Sequence, residues 1–441
     1  METWAQEAEE ASKDSGKARL SGRIHILGMG NAALFVAHSL ARRPSVPPIT
    51  LMMHSPAVYH SWKDARQSIS LQANGLEDIR TGFDVNVLEN KTWYSIPYEA
   101  DEVDEAEDRP PEPEFADVSL EGEFELEETL KSEHDDREIE CLIVAGPASM
   151  TVAAVDSVKD RLTPDSTVLI LSNGMGLLEE INDKIFPDSK TRPCYMQGLV
   201  THDIHRRKRG YQFDHVDVGS TILGFPLEAG LSQAEAEKMH SGLWPPTAKY
   251  LLHTLTNTAP LVATAASPTD LLLHQLEKLA IQCVLLPLTA LMQVKNGDIL
   301  YNYSITRVMR LLLLEISSVI CALPEIQSVP GVEARFSPER LRRMVTQLAD
   351  RTADETSTMS QDVHHRRTTE IEYLNGYIVR RGEELGLSPA MNYMIKHLIL
   401  GKSYEIKQRE ASAIPIDVPT AQTPRMFPAF RKNSEDFKNS E

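Results

Sequence analysis

The sequence predicts an α/β domain over residues 21–267, followed by an all-α domain over residues 268–408. The first part alternates short apolar runs with amphipathic segments, which is typical of parallel β-α-β units. From residue 268 onward, apolar residues instead recur with a helical period over residues 271–292, 303–323 and 338–349. This change of period predicts the boundary between the two domains.

A glycine turn opens the first β-α-β unit. The apolar strand at residues 24–27 runs into Gly28, Met29, Gly30 and Asn31, and a helix over residues 32–42 follows with Ala33 in its first turn. A dinucleotide-binding turn needs small residues at the first, third and sixth positions, for the tight turn, the close approach of a pyrophosphate and helix packing. The pattern predicts a Rossmann-like domain, and a turn that binds nothing is the alternative.

The end of the second strand, residues 49–53, indicates which nicotinamide dinucleotide is bound. An acidic side chain there would hydrogen-bond the ribose 2′-hydroxyl of NAD, but His54 and Ser55 follow the strand, with Lys63 and Arg66 downstream. This arrangement favours NADP, with His54 near the cofactor. The alternative is that Lys63 and Arg66 are ordinary solvated charges on the next helix.

A second candidate position is Asn173. It follows the apolar run at residues 167–171, in the segment Ser172-Asn173-Gly174. Open α/β sheets bind ligands at the carboxyl ends of their parallel strands, so Asn173 is expected beside a ligand. Alternatively, it is only a turn residue before Gly174, because asparagine tolerates left-handed backbone angles.

Charge is distributed unevenly along the chain. The 441 residues carry a formal net charge of -19, which argues against a nucleic-acid surface. Residues 101–140 hold nineteen Asp and Glu against three basic residues, so we predict a disordered insertion over residues 100–138. We also predict disordered termini over residues 1–20 and 409–441.

Other sequence features argue for ordinary structural roles. The four cysteines have no metal-ligand spacing and fit buried thiols in a reducing compartment. The pairs His202/His205 and His364/His365 lack a third ligand at useful spacing, so no metal is expected, and a flexible surface loop explains both pairs. The basic cluster at 206–209 is interpreted as a solvated loop. The apolar runs are too short to span a membrane, which predicts a cytoplasmic protein and leaves an internal mitochondrial signal open.

Three elements in the same order resemble the ketopantoate reductase family, the NADP-dependent 2-dehydropantoate 2-reductases. They are the G-x-G turn at Gly28, the Asn173-Gly174 strand end, and the Lys278-Leu…Pro287-Leu-Thr289 helix followed by Thr369-Glu370-Ile…Asn375-Gly376. The Pro-rich segment at residues 43–49 is similar to the fungal branch.

The resemblance implies a reaction and the roles of several residues. NADPH would give a hydride to the ketone carbon of a 2-oxo acid, and Lys278 would polarise the ketone oxygen and protonate the alkoxide. Glu370 would lie near the nicotinamide ribose as an active-site glutamate. Asn173 would lie beside cofactor and substrate, and Thr358 would hold the substrate carboxylate. Taken alone, a lysine on an amphipathic helix is more often a solvated charge.

The chain departs from the family pattern at three positions. Two amides usually follow the catalytic lysine by one and two helical turns, and here those positions are Gln282 and Leu286. Leu286 cannot hydrogen-bond a substrate hydroxyl, although Gln282 can. Pro147 stands where the family tends to carry a lysine. A catalytically degenerate relative that acts as an interaction protein, for example in mitochondrial gene expression, is therefore the alternative, and a homodimer is left open.

Overall fold

The computed structural model describes residues 3–13, 20–99, 133–207, 210–227 and 244–411. In the first domain, helices α1–α6 span Trp4–Lys13, Asn31–Ala41, Pro56–Asp64, Ala148–Asp156, Leu177–Lys184 and Pro246–Thr256. Strands β1–β13 span Ile24–Leu27, Ile49–Met53, Ile69–Ala73, Leu76–Arg80, Asp84–Glu89, Thr92–Ile96, Cys141–Val144, Thr167–Ile170, Cys194–Val200, Asp203–Arg206, Gln212–Asp217, Thr221–Gly224 and Ala263–Ala265. In the second domain, helices α7–α13 span Pro268–Met292, Tyr303–Cys321, Val332–Arg335, Pro338–Arg351, Thr358–His364, Asn375–Glu384 and Ala390–Ala411.

The main sheet has nine strands in the order β13-β12-β9-β8-β7-β1-β2-β5-β6. Strand β1 pairs in parallel with β2 on one side and with β7 on the other. The order in which successive strands are added to the sheet therefore reverses at β1. Strand β1 is buried at all four positions, as expected of a central parallel strand covered on both faces. A ligand crevice is expected outside the carboxyl ends of β1 and β7, where the strand order reverses.

A second sheet, in the order β10-β11-β3-β4, was not predicted. Only β3 is buried over consecutive residues, β11 has one buried residue, and β4 and β10 have none, so three of the four strands lack the apolar runs that mark the main sheet. One signal was available: Asn74 and Gly75 join β3 to β4 with φ angles of 51° and 77°. An Asn-Gly pair at positive φ is the preferred two-residue hairpin turn.

Two expectations of disorder require correction. Within the predicted disordered residues 1–20, Trp4–Lys13 forms α1, which packs on α6 through buried Ala8, and Glu7 accepts a hydrogen bond of 2.5 Å from Arg43. Within the predicted insertion 100–138, Asp135 is buried and bonded to Asn86, Arg137 and Arg161. Residues 100–132 and 412–441 lie outside the described part of the chain.

The helical domain is organised around α7. The side chain of Ser267 accepts a hydrogen bond from the backbone of Asp270 and so caps the first turn of this 25-residue helix. Helix α7 is long and apolar enough to cross a membrane by length and composition, contrary to the expectation from the apolar runs. It serves instead as the core helix of this domain, with 61% of its apolar window buried.

The order of domains agrees with the sequence prediction. The last strand of the main sheet ends at Ala265, and α7 begins at Pro268. The four cysteines are free, and Cys141 and Cys283 are buried in the cores of the two domains. The carboxyl ends of the central strands and one face of α7 therefore meet at the junction between the domains.

Candidate active site at the domain junction

The glycine turn lies between β1 and α2, as predicted. Gly28 has a φ of 117°, and a Cβ atom there would lie 2.6 Å from the carbonyl oxygen of Ala145. Gly30 has an ordinary φ of -78°, and a Cβ atom there would lie 3.7 Å from the same oxygen. The fold therefore requires glycine at 28, whereas the space beside Gly30 is open to a ligand. Ala33 is buried, as a small residue between helix and strand should be.

The two other residues of the turn face different surroundings. Asn31 begins α2, and its amide donates a hydrogen bond of 2.8 Å to the carbonyl of Ile204 in β10. Its side chain is thus used to hold the second sheet against the turn. Met29 is half-buried and packs against the core of the first domain.

The residues expected to select the cofactor are on the surface. His54 follows β2 and is exposed, Lys63 is exposed near the end of α3, and Arg66 is exposed just beyond it. None of the three takes part in an ion pair between residues that the structure describes. They are free to contact a phosphate, but their positions do not indicate whether the protein binds NADP or NAD.

The loop after β8 joins the two domains. Ser172 exchanges a hydrogen bond of 2.7 Å with Thr151, and the backbone N–H of Met175 donates to the carbonyl of Tyr373, 2.9 Å away. A Cβ atom on Gly174 would lie 2.6 Å from that of Tyr373, so only glycine permits this approach. Asn173 between them lies near Glu370 of the helical domain and acts to lower the pKa of that carboxyl group.

Lys278 projects from α7 towards this loop. Its ammonium donates a hydrogen bond of 3.2 Å to the carbonyl of Val200, at the end of β9, and the side chain is half-buried. Burial lowers the pKa of Lys278 to about 8, and the nearby charge of Glu370 acts in the opposite direction. A lysine with this pKa changes its protonation state closer to neutral pH than an ordinary lysine does.

Glu370 is buried, with 7% of its surface exposed. Its Oε1 accepts a hydrogen bond of 2.8 Å from the backbone N–H of Ala148, the first residue of α4. Burial raises the pKa of this carboxyl group, while the Ala148 N–H and the charge of Lys278 oppose that rise. The helical domain thus places an ammonium group and a carboxyl group at the strand ends of the first domain.

A narrow cleft with a cavity volume of about 20 Å³ lies at this junction. It combines the end of β8, the middle of β9 and one face of α7, and its lining residues are Ser172, Asn173, Gly174, Met175, Gly198, Leu199, Gln275, Lys278, Leu279 and Gln282. Hydrogen-bonding groups therefore line a cleft whose volume is that of about one water molecule.

The predicted substrate residues divide into two groups. Gln282 lines the cleft one helical turn after Lys278, whereas Leu286 belongs to the core of the helical domain. Thr358 is the first residue of α11 and is exposed, and it does not line the cleft. The adjacent Ser357 is buried and accepts a hydrogen bond of 2.7 Å from Thr289. Pro147 precedes α4 and contributes no charge.

One cluster near the junction was missed. His202 and His205 are not in a flexible loop: His202 is buried and His205 lies in β10. Glu355 of the helical domain joins Asp203 and His205, with possible ligand atoms of all three within 4.8 Å of one another. His205 lies 2.8 Å from Asp203 and 3.6 Å from Glu355, so the cluster forms a polar contact between the domains. Sequence spacing could not have identified Glu355 as the third member.

Two family models match the chain. The model of the ketopantoate reductase PanE/ApbA family covers residues 108–226, and the model of its C-terminal region covers residues 270–403. The two matches fall on either side of the change from sheet to helices.

Curated relatives match more than half of the chain. The chain is 30% identical over 272 residues to 2-dehydropantoate 2-reductase of Yersinia pestis, covering 61% of this chain and 76% of that protein. It is 28% identical over 300 residues to the Salmonella typhimurium protein of the same name, covering 68% and 86%. It is 26% identical over 270 residues to that of Saccharomyces cerevisiae, covering 57% and 69%.

Solved structures share the fold at low identity. A ketopantoate reductase of Ralstonia eutropha superposes with a TM-score of 0.57 at 15% identity, covering 87% of this chain and 99% of that one. A D-mandelate dehydrogenase solved with NADH and anilino(oxo)acetate gives a TM-score of 0.56 at 17% identity, with the same coverage. Together with the sequence matches, these findings confirm the predicted fold class, and the chain belongs to the ketopantoate reductase family.

Proposed function

We propose that this protein is an NADPH-dependent reductase of a small 2-oxo acid, with 2-dehydropantoate as the first candidate substrate. The observation that carries this proposal is the half-buried Lys278, with a pKa lowered to about 8, in a cleft between Asn173 and Gln282. An ammonium of this kind suits a proton donor that must act near neutral pH. The curated relatives that cover the same domains are named 2-dehydropantoate 2-reductases.

The residues at the strand ends fit a nicotinamide dinucleotide. The open space beside Gly30 and the amino end of α2, which no side chain caps, suit a pyrophosphate. When bound, the dinucleotide would supply a hydride to the ketone carbon. NADPH is proposed over NADH because the exposed His54 follows β2 where NAD-binding chains place a carboxylate.

Lys278 has two tasks in the proposed reaction. Its ammonium hydrogen-bonds the ketone oxygen, which stabilises the negative charge that develops there as the carbonyl bond is reduced. One N–H bond of Lys278 then breaks as the new O–H bond of the alcohol forms, and solvent returns a proton to the amine. Because the pKa is about 8, most molecules carry the ammonium at pH 7.

Glu370, Asn173 and Gln282 assist this step from fixed positions. The negative charge of Glu370 favours the protonated form of Lys278, and the N–H of Ala148 holds its carboxylate in place. Asn173 and Gln282 offer amide donors on the loop side and the helix side of the cleft. Leu286 offers none, so a substrate hydroxyl must find its partner elsewhere in the cleft.

The test is steady-state oxidation of NADPH by the purified full chain, with 2-dehydropantoate and a series of straight and branched 2-oxo acids. We expect turnover with at least one of them, and a lower KM for NADPH than for NADH. NADPH binding without oxidation by any 2-oxo acid, together with co-purification of a macromolecular partner, would support the interaction protein instead.

We also propose an oligomeric state and a cellular location for this protein. A related ketopantoate reductase of Staphylococcus aureus is described as dimeric. We expect a homodimer in solution and a cytoplasmic location, to be measured by light scattering and by cell fractionation.

A further inference from the structure

Arg206 lies beside the glycine turn, although it comes from the second sheet. Its Nη1 atom is 3.5 Å from the carbonyl oxygen of Met29, between the two glycines of the turn. Its guanidinium group also lies over the ring of Tyr211, 5.4 Å from the ring centroid. The sequence had suggested a solvated loop for this basic segment, but Arg206 ends strand β10.

Backbone contacts fix the strand that carries Arg206. The Asn31 amide at the start of α2 donates to the carbonyl of Ile204, two residues earlier in β10. Tyr211, beneath the guanidinium group, has 3% of its surface exposed and donates a hydrogen bond of 3.1 Å to the carbonyl of Val58. The position of Arg206 relative to the turn is therefore set by packed and hydrogen-bonded elements.

The next residue along the chain provides a contrast. The guanidinium group of Arg207 contacts both carboxylate oxygens of Asp214, at 2.9 and 3.0 Å. Arg206 has no carboxylate within ion-pair distance in the part of the chain that the structure describes, and its hydrogen bonds there go to carbonyl oxygens. Of these two neighbouring arginines, Arg207 is ion-paired with Asp214, whereas Arg206 is not paired with a carboxylate in the described part of the chain. The charge of Arg206 is therefore available to a ligand.

A phosphate group is the ligand that best fits this position. The turn leaves open space beside Gly30, and the amino end of the 11-residue helix α2 has no side-chain cap. Backbone N–H groups at a helix start bind phosphate oxygens, and an arginine fork adds directed, charge-assisted hydrogen bonds. We propose that Arg206 binds the pyrophosphate of the dinucleotide, together with the backbone N–H groups of the turn.

This inference rests on the proposed function, since the dinucleotide is the ligand. It adds a binding residue that lies outside the glycine motif and is contributed by the second sheet. The bound cofactor would thereby connect β10 to the glycine turn, as the hydrogen bond from Asn31 to the carbonyl of Ile204 also does.

The experiment compares Arg206→Ala with Arg207→Ala in the full chain. NADPH, NADH and ADP-ribose are titrated by calorimetry at low and at physiological salt. We expect Arg206→Ala to raise the Kd of all three ligands about 10-fold or more, because all three contain the pyrophosphate and lose a charge-assisted contact. The loss should shrink at higher salt. Arg207→Ala should leave all three Kd values near those of the wild type.

The outcomes are separable. Equal Kd values for the wild type and Arg206→Ala would overturn the inference and leave the proposed function intact. Weakened binding of NADPH alone would also overturn it, since Arg206 would then contact the 2′-phosphate. A wild-type protein that binds none of the ligands would contradict the proposed function itself. Unchanged melting temperatures in both variants, expected for exposed side chains, would show that folding is not the cause of a changed Kd.

Discussion

The two sides of the junction cleft depend on different features, backbone geometry on one side and buried ionisable side chains on the other. On the side of the first domain, the backbone sets the site: Gly28 has a φ of 117°, Gly174 touches Tyr373, and the amino end of α2 is uncapped. On the side of the helical domain, buried charges set it, with Lys278 and Glu370 shifting each other's pKa. The first side is suited to holding a ligand, and the second to moving a proton.

This difference separates binding from chemistry. Backbone geometry costs little stability once the fold is formed, whereas a buried ammonium costs free energy in the folded protein. Changes on the first side should therefore affect folding and cofactor affinity. Changes on the second side should affect turnover and its pH dependence while the fold survives.

The largest effect is expected from Lys278→Met. Removing the proton donor should lower kcat by about 10²–10⁴-fold, measured as 2-oxo-acid-dependent NADPH oxidation. The Kd for NADPH should be nearly unchanged, and the melting temperature should be no lower than that of the wild type, because a buried charge is lost. Lys295→Met, at an exposed lysine of the same domain, is the control. Full turnover in Lys278→Met would remove the lysine from the mechanism.

The next effect distinguishes the two glycines of the turn. Gly28→Ala should lower the free energy of unfolding by roughly 2–4 kcal/mol, because its Cβ atom would meet the Ala145 carbonyl at a strained φ. Gly30→Ala should leave the denaturation midpoint almost unchanged and raise the Kd for NADPH about 10-fold, because its methyl group occupies the space proposed for the pyrophosphate. Equal effects of both substitutions on stability and on Kd would contradict this distinction.

A smaller, pH-dependent effect is expected from Glu370→Gln. The negative charge of Glu370 raises the pKa of Lys278, so its removal should move that pKa below about 8. The alkaline limb of the kcat/KM profile should then shift to lower pH, with a greater loss of activity at pH 8 than at pH 6. An unshifted alkaline limb would mean that the two groups are not coupled.

The smallest effect concerns substrate contact. Gln282→Leu should raise the KM for the 2-oxo acid about 3–10-fold, with little change in kcat, because one hydrogen bond of the cleft is lost. Gln327→Leu provides a control at an exposed glutamine of the helical domain. A KM equal to that of the wild type would place the substrate away from this face of α7.

The sequence predicts the first side of the cleft better than the second. Gly28 and Asn173 are recognisable because a turn between strand and helix, and a strand end, follow from local pattern. The contacts of Glu355 with His205 and of Glu370 with Ala148 join residues that are far apart in sequence, so no local sequence pattern could predict them. Lys278 could be located only by resemblance, because its lowered pKa depends on burial at the domain junction.

Two further misses have the same cause. Strand β10 was interpreted as a solvated loop because its own residues are polar, and its order comes from pairing with β11 and from the Asn31 contact. Helix α1 lies within the terminus that was predicted to be disordered, yet Glu7 is paired with Arg43 and Ala8 is buried. In both segments, distant partners supply the order that composition does not predict.

The central claim is that burial at the junction gives Lys278 a proton it can release near neutral pH. The most direct test is an NMR titration of the protein labelled with ¹³C at the lysine ε-carbons, with Lys278→Met used to assign the resonance. The account predicts that this resonance titrates with a midpoint near pH 8. A midpoint near that of a free lysine, about 10.4, would contradict it.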